Sequence, residues 1–207
     1  MCGRYLLAME IDEVVKSYNI KEKILDSIET GEKFPGTNIP IILMKKGETL
    51  LKNTFWGIKY LNKNIINARF ETVEEKPLFK GLLEYKRCII PASSYFEWQQ
   101  KGKVKEKIEI SVKGNDFISL AGIYGNFKDI NNNLYEAVVI LTVPAAEDIR
   151  NIHPRMPLII KKEMINYWLD TTISKIDKAL ILEKHYSQYF AKNSCENMEQ
   201  LSFSEIL

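Results

Sequence analysis

The spacing of apolar positions divides the chain into helical ends and a strand-rich middle. In residues 10–30, EIDEVVKSYNIKEKILDSIET, apolar residues recur at roughly helical intervals among charges, which predicts one or two helices. KFPGTNIP is predicted to be a loop, because Pro35, Gly36 and Pro40 punctuate it. IPIILMKKG and ETLLKNTFWGI then read as two short strands that meet at Lys46-Gly47, a hairpin-like connection. IINARFET reads as a strand running into a loop. KPLFKGLLEYK has the period of a short helix, with Pro77 suited to its first turn.

The middle is dense with strand signals: RCIIPASSYFEW, KEKIEISV, DFISLAGIYGNF and LYEAVVILTV. KIEISV alternates polar with apolar, as a strand with one wet face does, whereas VVILTV is apolar on both faces and is expected at the centre of a sheet. Turn signals fall at Lys101-Gly102, Gly114-Asn115 and Asn131 to Asn133. After PAAEDIRNIHPRMPLII, helical periodicity returns through KKEMINYWLD and ISKIDKALILEKHYSQYF. No repeat, low-complexity tract or linker interrupts the pattern. The expectation is one α+β domain over residues 1–207, with a mainly antiparallel, barrel-like β core and peripheral helices.

Composition adds little to this. Apolar residues make up 45% and charged residues 27%, as in an ordinary globular protein. The net charge of +2 lacks the basic excess of a protein that coats nucleic acid, so any such contact is expected to be local. No apolar run approaches the ~20 residues of a membrane span. The N-terminus lacks the basic-then-apolar pattern of a signal peptide. A cytoplasmic, monomeric protein without membrane contact is expected. Cys2, Cys88 and Cys195 lie far apart without CxxC spacing, which argues against a structural zinc site and a disulfide framework. No cofactor or metal is expected.

The reactive candidates are few. Cys2 becomes the N-terminal residue if Met1 is removed, as happens when the second residue is small. Its α-amine, with a pKa of about 7.7, and its thiol, with one of about 8.5, would then form a 1,2-aminothiol. Such a group condenses with an aldehyde to an imine, and the thiol closes on the imine carbon to give a thiazolidine. An internal cysteine cannot do this, because its nitrogen is an amide. Glu97, in SSYFEWQQ, would share a strand face with Tyr95 and Gln99, opposite Phe96 and Trp98. It is either a solvated outer-face glutamate or a partly desolvated carboxyl suited to proton transfer. His153, in NIHPRMP, lies between two prolines; it is either a structurally bonded loop histidine or an imidazole aimed from a rigid loop. His185, in LEKHYSQ, reads as a surface residue. Asn67 and Arg69 lie two apart and point the same way on an extended backbone. That suits an oxygen-rich ligand, or an ordinary hydrogen-bonded turn. Trp56 is a core residue or a platform for a base.

Taken together, MCGR at the start, NARFE at 67–71, RCIIPASSYFEW at 87–98, LAGIY at 120–124, ILT at 140–142 and HPRMP at 153–157 resemble the SOS response-associated peptidase (SRAP) family. The resemblance runs in family order from residue 1 to about 168. It implies a protein that binds single-stranded DNA and captures the ring-opened aldehyde of an abasic site, shielding the lesion through a thiazolidine crosslink to Cys2. It also implies, as an alternative, a cysteine-type autopeptidase with Cys2 as N-terminal nucleophile. Carried over residue by residue, the catalytic set is Cys2, Asn67, Glu97 and His153. Glu97 would shuttle protons, His153 would assist opening of the sugar ring, and Asn67 would hold the sugar. Arg4, Trp56, Arg69, Thr142 and Arg155 would contact DNA. The chain departs from the family pattern at Ser94, at Asn38-Ile39-Pro40, at Ala146 and in the short segment between Trp56 and Asn67.

Overall fold

The computed structural model describes residues 2–60, 63–183 and 188–193. Its architecture is α+β, with a closed β-barrel core and few peripheral helices. Five strands form the barrel: Asn38–Lys45, Glu48–Trp56, Arg87–Ala92, Ile118–Lys128 and Leu134–Pro144. Four of the pairings around the ring are antiparallel. The ring closes through a parallel contact, Ala137 with Phe55 and Val138 with Trp56. Closure leaves these strands no free edge. Their inward side chains, among them Ile39, Ile41, Trp56, Cys88, Ile90 and Val138, are buried.

The Lys46-Gly47 connection forms as expected. Lys46 at φ 51° and Gly47 at φ 83° both occupy the left-handed region, the geometry of a two-residue turn whose twist matches its strands. The apolar VVILTV segment is central, since Leu134–Pro144 pairs with Ile118–Lys128, Glu48–Trp56, Asn67–Arg69 and Arg155–Pro157.

A second, fully antiparallel sheet carries the N-terminus. Its order is Tyr189–Asn193, Val104–Val112, Ser94–Lys101, Tyr5–Leu7, Gly31–Lys33. RCIIPASSYFEW, which reads as one strand, is divided between the two sheets at Ser93. There the Ser93 N–H donates to the Leu6 carbonyl at 2.7 Å, and its hydroxyl accepts the Ala8 N–H at 3.0 Å. The corner thus binds the barrel to the N-terminal strand.

Three expectations need correction. Only Ile11–Ser17 is helical within residues 10–30; the left-handed Asn19 at φ 50° stops the helix, and Glu22–Lys23 instead pairs with Leu50–Leu51. KPLFKGLLEYK is two short pieces, Pro77–Phe79 and Leu82–Tyr85, broken at Gly81 with φ 77°. At the C-terminal end, helix Lys178–Glu183 is followed by a strand, Tyr189–Asn193, which buries Tyr189 and pairs the outer edge of Val104–Val112. His185 and Cys195 lie outside the described residues. Among the described residues, no helix is long and apolar enough to cross a membrane.

Candidate active site around Cys2

Strand pairing delivers Cys2 to a carboxylate. Tyr5 stands opposite Tyr95 and Leu6 opposite Ser94, and the Phe96 N–H donates to the Arg4 carbonyl at 2.9 Å. This antiparallel register runs the first residues back alongside Glu97 and Trp98. Cys2 is fully buried, with Sγ 3.8 Å from the Arg4 carbonyl oxygen. From the barrel side, strand Asn67–Arg69 lies parallel to Leu134–Pro144, and the Asn67 Nδ2 donates to the Cys2 carbonyl at 2.9 Å. Alternation turns Glu97 to the same face as Tyr95, and only 3% of it is exposed. His153 completes the group. Its Nδ1 receives the Arg155 N–H at 3.0 Å and lies 3.9 Å from Glu97 Oε1. The loop that carries it is tied to the Ser94–Lys101 strand by Gln99 Nε2, which donates to the Asn151 carbonyl at 3.2 Å. Cys2, Asn67, Glu97 and His153, spread over some 150 positions of sequence, therefore meet at one place.

The electrostatics follow from burial. Loss of water pushes the Glu97 carboxyl above the usual carboxylate range, and the nearby His153 pulls it part of the way back. Burial also pushes the Cys2 thiol far up, and the Glu97 charge adds to that shift. The sulfur therefore rests as a thiol, and its attack on anything requires a neighbour that takes its proton.

Residues 1–199 match the family described as SOS response associated peptidase (SRAP). The chain belongs to this family. It is 33% identical over 181 residues to the abasic site processing protein YobE of Bacillus subtilis (strain 168), covering 82% of each chain. It is 31% identical over 196 residues to the abasic site processing protein YedK of Escherichia coli (strain K12), covering 84% of this chain and 82% of the relative. The fold is shared with a crystal structure of a Bacteroides thetaiotaomicron protein at a TM-score of 0.75 and 25% identity, covering 93% of this chain and 91% of that one.

The residues expected to touch DNA in an SRAP protein divide three ways. Trp56 and Thr142 need correction, since neither reaches the surface. Trp56 is fully buried, with its indole N–H donated to the Ile66 carbonyl at 3.1 Å and its ring against Tyr5. Thr142 is also fully buried; its carbonyl and hydroxyl both accept from Arg155 Nη2, at 2.6 and 3.2 Å. Arg4 and Arg155 are partly exposed but already engaged. Arg4 pairs with Glu32 at 3.3 Å and lies between the rings of Phe34 and Trp98. Arg155 grips Glu71 through both Nη atoms and holds that carboxyl below the usual carboxylate range. Arg69 is exposed and, with Asn67, Lys76 and Phe79, lines a cavity of about 570 Å³.

Sequence reasoning missed the partners that hold these cations. Glu71 stands inside the NARFE motif, and its role emerges only when residue 155 is seen beside it. Glu32 gave no signal at all. It is brought to Arg4 and to Lys107 Nζ, the latter at 2.6 Å, by the pairing of Gly31–Lys33 with the N-terminal strand.

Proposed function

We propose that this protein processes abasic sites in single-stranded DNA by covalent capture through Cys2 as the mature N-terminal residue. The observation that carries the reading is the convergence of Asn67, Glu97 and His153 on Cys2, with the Glu97 carboxyl pushed above its ordinary range by burial. With Met1 removed, the Cys2 amine attacks the aldehyde carbon of the ring-opened sugar and forms a C–N bond. The Glu97 carboxyl gives a proton to the oxygen on that carbon, which leaves as water, and an iminium ion remains. The Glu97 carboxylate then takes the thiol proton as sulfur bonds to the same carbon. The thiazolidine closes, Glu97 is restored, and one water has been lost overall. Asn67, by fixing the Cys2 carbonyl, orients the amine and thiol for both bonds. His153, in reach of Glu97, assists opening of the sugar ring.

The buried thiol favours this order of events over a thiolate-first peptidase. A hydrolytic cysteine needs a thiol pKa brought down by its surroundings, and here burial and the Glu97 charge raise it. An imine formed by the amine asks for the sulfur's proton only after the aldehyde is already bound.

Intact mass tests the proposal. Incubation with an oligonucleotide carrying one abasic site is expected to give protein lacking Met1 joined to DNA, less one water. Cys2→Ala is expected to give no stable adduct. Full crosslinking by Cys2→Ala would sink the reading. Cleavage of a peptide placed ahead of Cys2 without any DNA adduct would favour the peptidase.

A further inference from the structure

Three buried polar atoms around Cys2 make no hydrogen bond to any described group: Tyr5 OH, Tyr95 OH and Asn67 Oδ1. Both tyrosines are fully buried. They are direct cross-strand partners, so their side chains stand on one face of the sheet, and Tyr95 precedes Glu97 by two residues on that same face. Asn67 enters from the barrel side with Nδ2 committed to the Cys2 carbonyl and Oδ1 uncommitted. Burial pushes both phenols well above their ordinary range, and the Cys2 sulfur adds to the shift of each.

Packing explains the rings and not the hydroxyls. The Tyr5 ring lies 5.6 Å from that of Trp56, a contact that phenylalanine would make equally well. A buried hydroxyl without a partner lowers stability, so phenylalanine at either position would be the more stable choice. We infer that Tyr5 and Tyr95 are catalytic residues for the aldehyde condensation, their hydroxyls and Asn67 Oδ1 together holding the oxygen that leaves the aldehyde carbon. The inference rests on the capture reading above and specifies the buried side of its site. The group fits that oxygen at both stages. When the amine adds, the aldehyde oxygen becomes a hydroxyl; when Glu97 supplies the second proton, that hydroxyl departs as water. A phenol can donate to either species, while Asn67 Oδ1 can only accept, and so takes a hydrogen from it. The three atoms orient the leaving oxygen toward the Glu97 proton and receive the water as the C–S bond forms.

The test is the pair of variants Tyr5→Phe and Tyr95→Phe, singly and together, in the mature protein. Binding is measured with an oligonucleotide carrying a tetrahydrofuran lesion, which has no aldehyde. Capture is measured as the first-order adduct rate at saturating abasic oligonucleotide, and separately with propanal and no DNA. The expected result is unchanged binding, an unchanged or raised melting temperature, and a saturating rate lowered roughly tenfold per hydroxyl with both aldehydes. A double variant with the wild-type saturating rate would overturn the inference and leave the capture reading standing. So would a rate loss confined to weaker DNA binding. Absence of adduct in the mature wild-type protein would overturn the capture reading itself, and the inference with it. If one variant does not fold, the other carries the same comparison.

Discussion

Two polar groups are buried in this molecule in opposite ways. Arg87, fully buried at the start of a barrel strand, gives its guanidinium hydrogens to five main-chain carbonyls, those of Leu83, Glu84, Trp168, Asp170 and Ile173. Every contact is with backbone, and together they clamp the Ile165–Leu169 helix and the turn after it onto the barrel. Around Cys2 the burial is as deep, yet Tyr5, Tyr95 and Asn67 each keep a polar atom uncommitted. A polar group whose bonds are all spent within the protein can only support it. A buried site that keeps bonding capacity in reserve, at a cost in stability, has hydrogen bonds left to offer a ligand.

The comparison can be broken most directly at Arg87. Arg87→Met strands five carbonyls and is expected to cost about 4 kcal/mol. For a chain of this size that lowers the melting temperature by roughly 10 °C, readable by calorimetry. The adduct rate per folded molecule should not change; a rate loss without destabilisation would show that the two regions are not separable.

Glu97→Gln should do the reverse, slowing capture about a hundredfold or more while leaving the fold in place. Its pH dependence sharpens the point. The folded pKa of Glu97 is raised by burial, so the native state holds its proton more tightly than the unfolded chain does. The stability this gives is full below the unfolded carboxyl value of about 4.3 and is lost as pH rises through the folded value. Denaturation of wild type and Glu97→Gln should therefore show a gap that grows in favour of the variant from pH 4 upward. A constant gap would mean that the carboxyl is not desolvated.

The smallest effect is expected at Cys88, the neighbour of Arg87. This cysteine is as buried as Cys2, and burial pushes its thiol up in the same way. Its nitrogen is an amide, however, and its sulfur lies among Ile90, Val138 and the bare backbone of Gly122. Cys88→Ala should cost about 1 kcal/mol of packing and leave adduct formation unaltered, by denaturation and intact mass respectively.

Much of this was legible in the sequence because it is local. Lys46-Gly47 announced its turn, and the alternation in SSYFEW put Glu97 with Tyr95; KIEISV alternates as expected, but its polar face is covered rather than wet, with Lys107 buried against Glu32 and Phe96. The site residues were legible one at a time and through the motifs that carry them. Their meeting was not, because it depends on pairings between distant segments: residue 5 with 95, residue 67 with 140, and the parallel closure of residues 55 and 137. The same cause hid the division at Ser93: Pro91-Ala92-Ser93-Ser94 weakens the strand signal, but the place of the corner is set by the bonds to Leu6 and Ala8. It hid the strand Tyr189–Asn193 as well, which forms because Val104–Val112 offers an edge. Trp56 misled in another way, since an aromatic beside a glycine reads alike whether it faces a base or a core.

The bond from Asn67 to the Cys2 carbonyl has a practical consequence for anyone producing this protein. On the capture reading, it grips the reactive residue by its carbonyl, in the interior, and leaves the Cys2 nitrogen to do the chemistry. On that reading, an affinity tag or fusion partner left ahead of Cys2 would keep its nitrogen an amide and unable to condense with an aldehyde. Such a preparation could be soluble, folded and chemically silent. Handles for purification or imaging belong elsewhere on the chain, and any leader should be removable to expose cysteine itself.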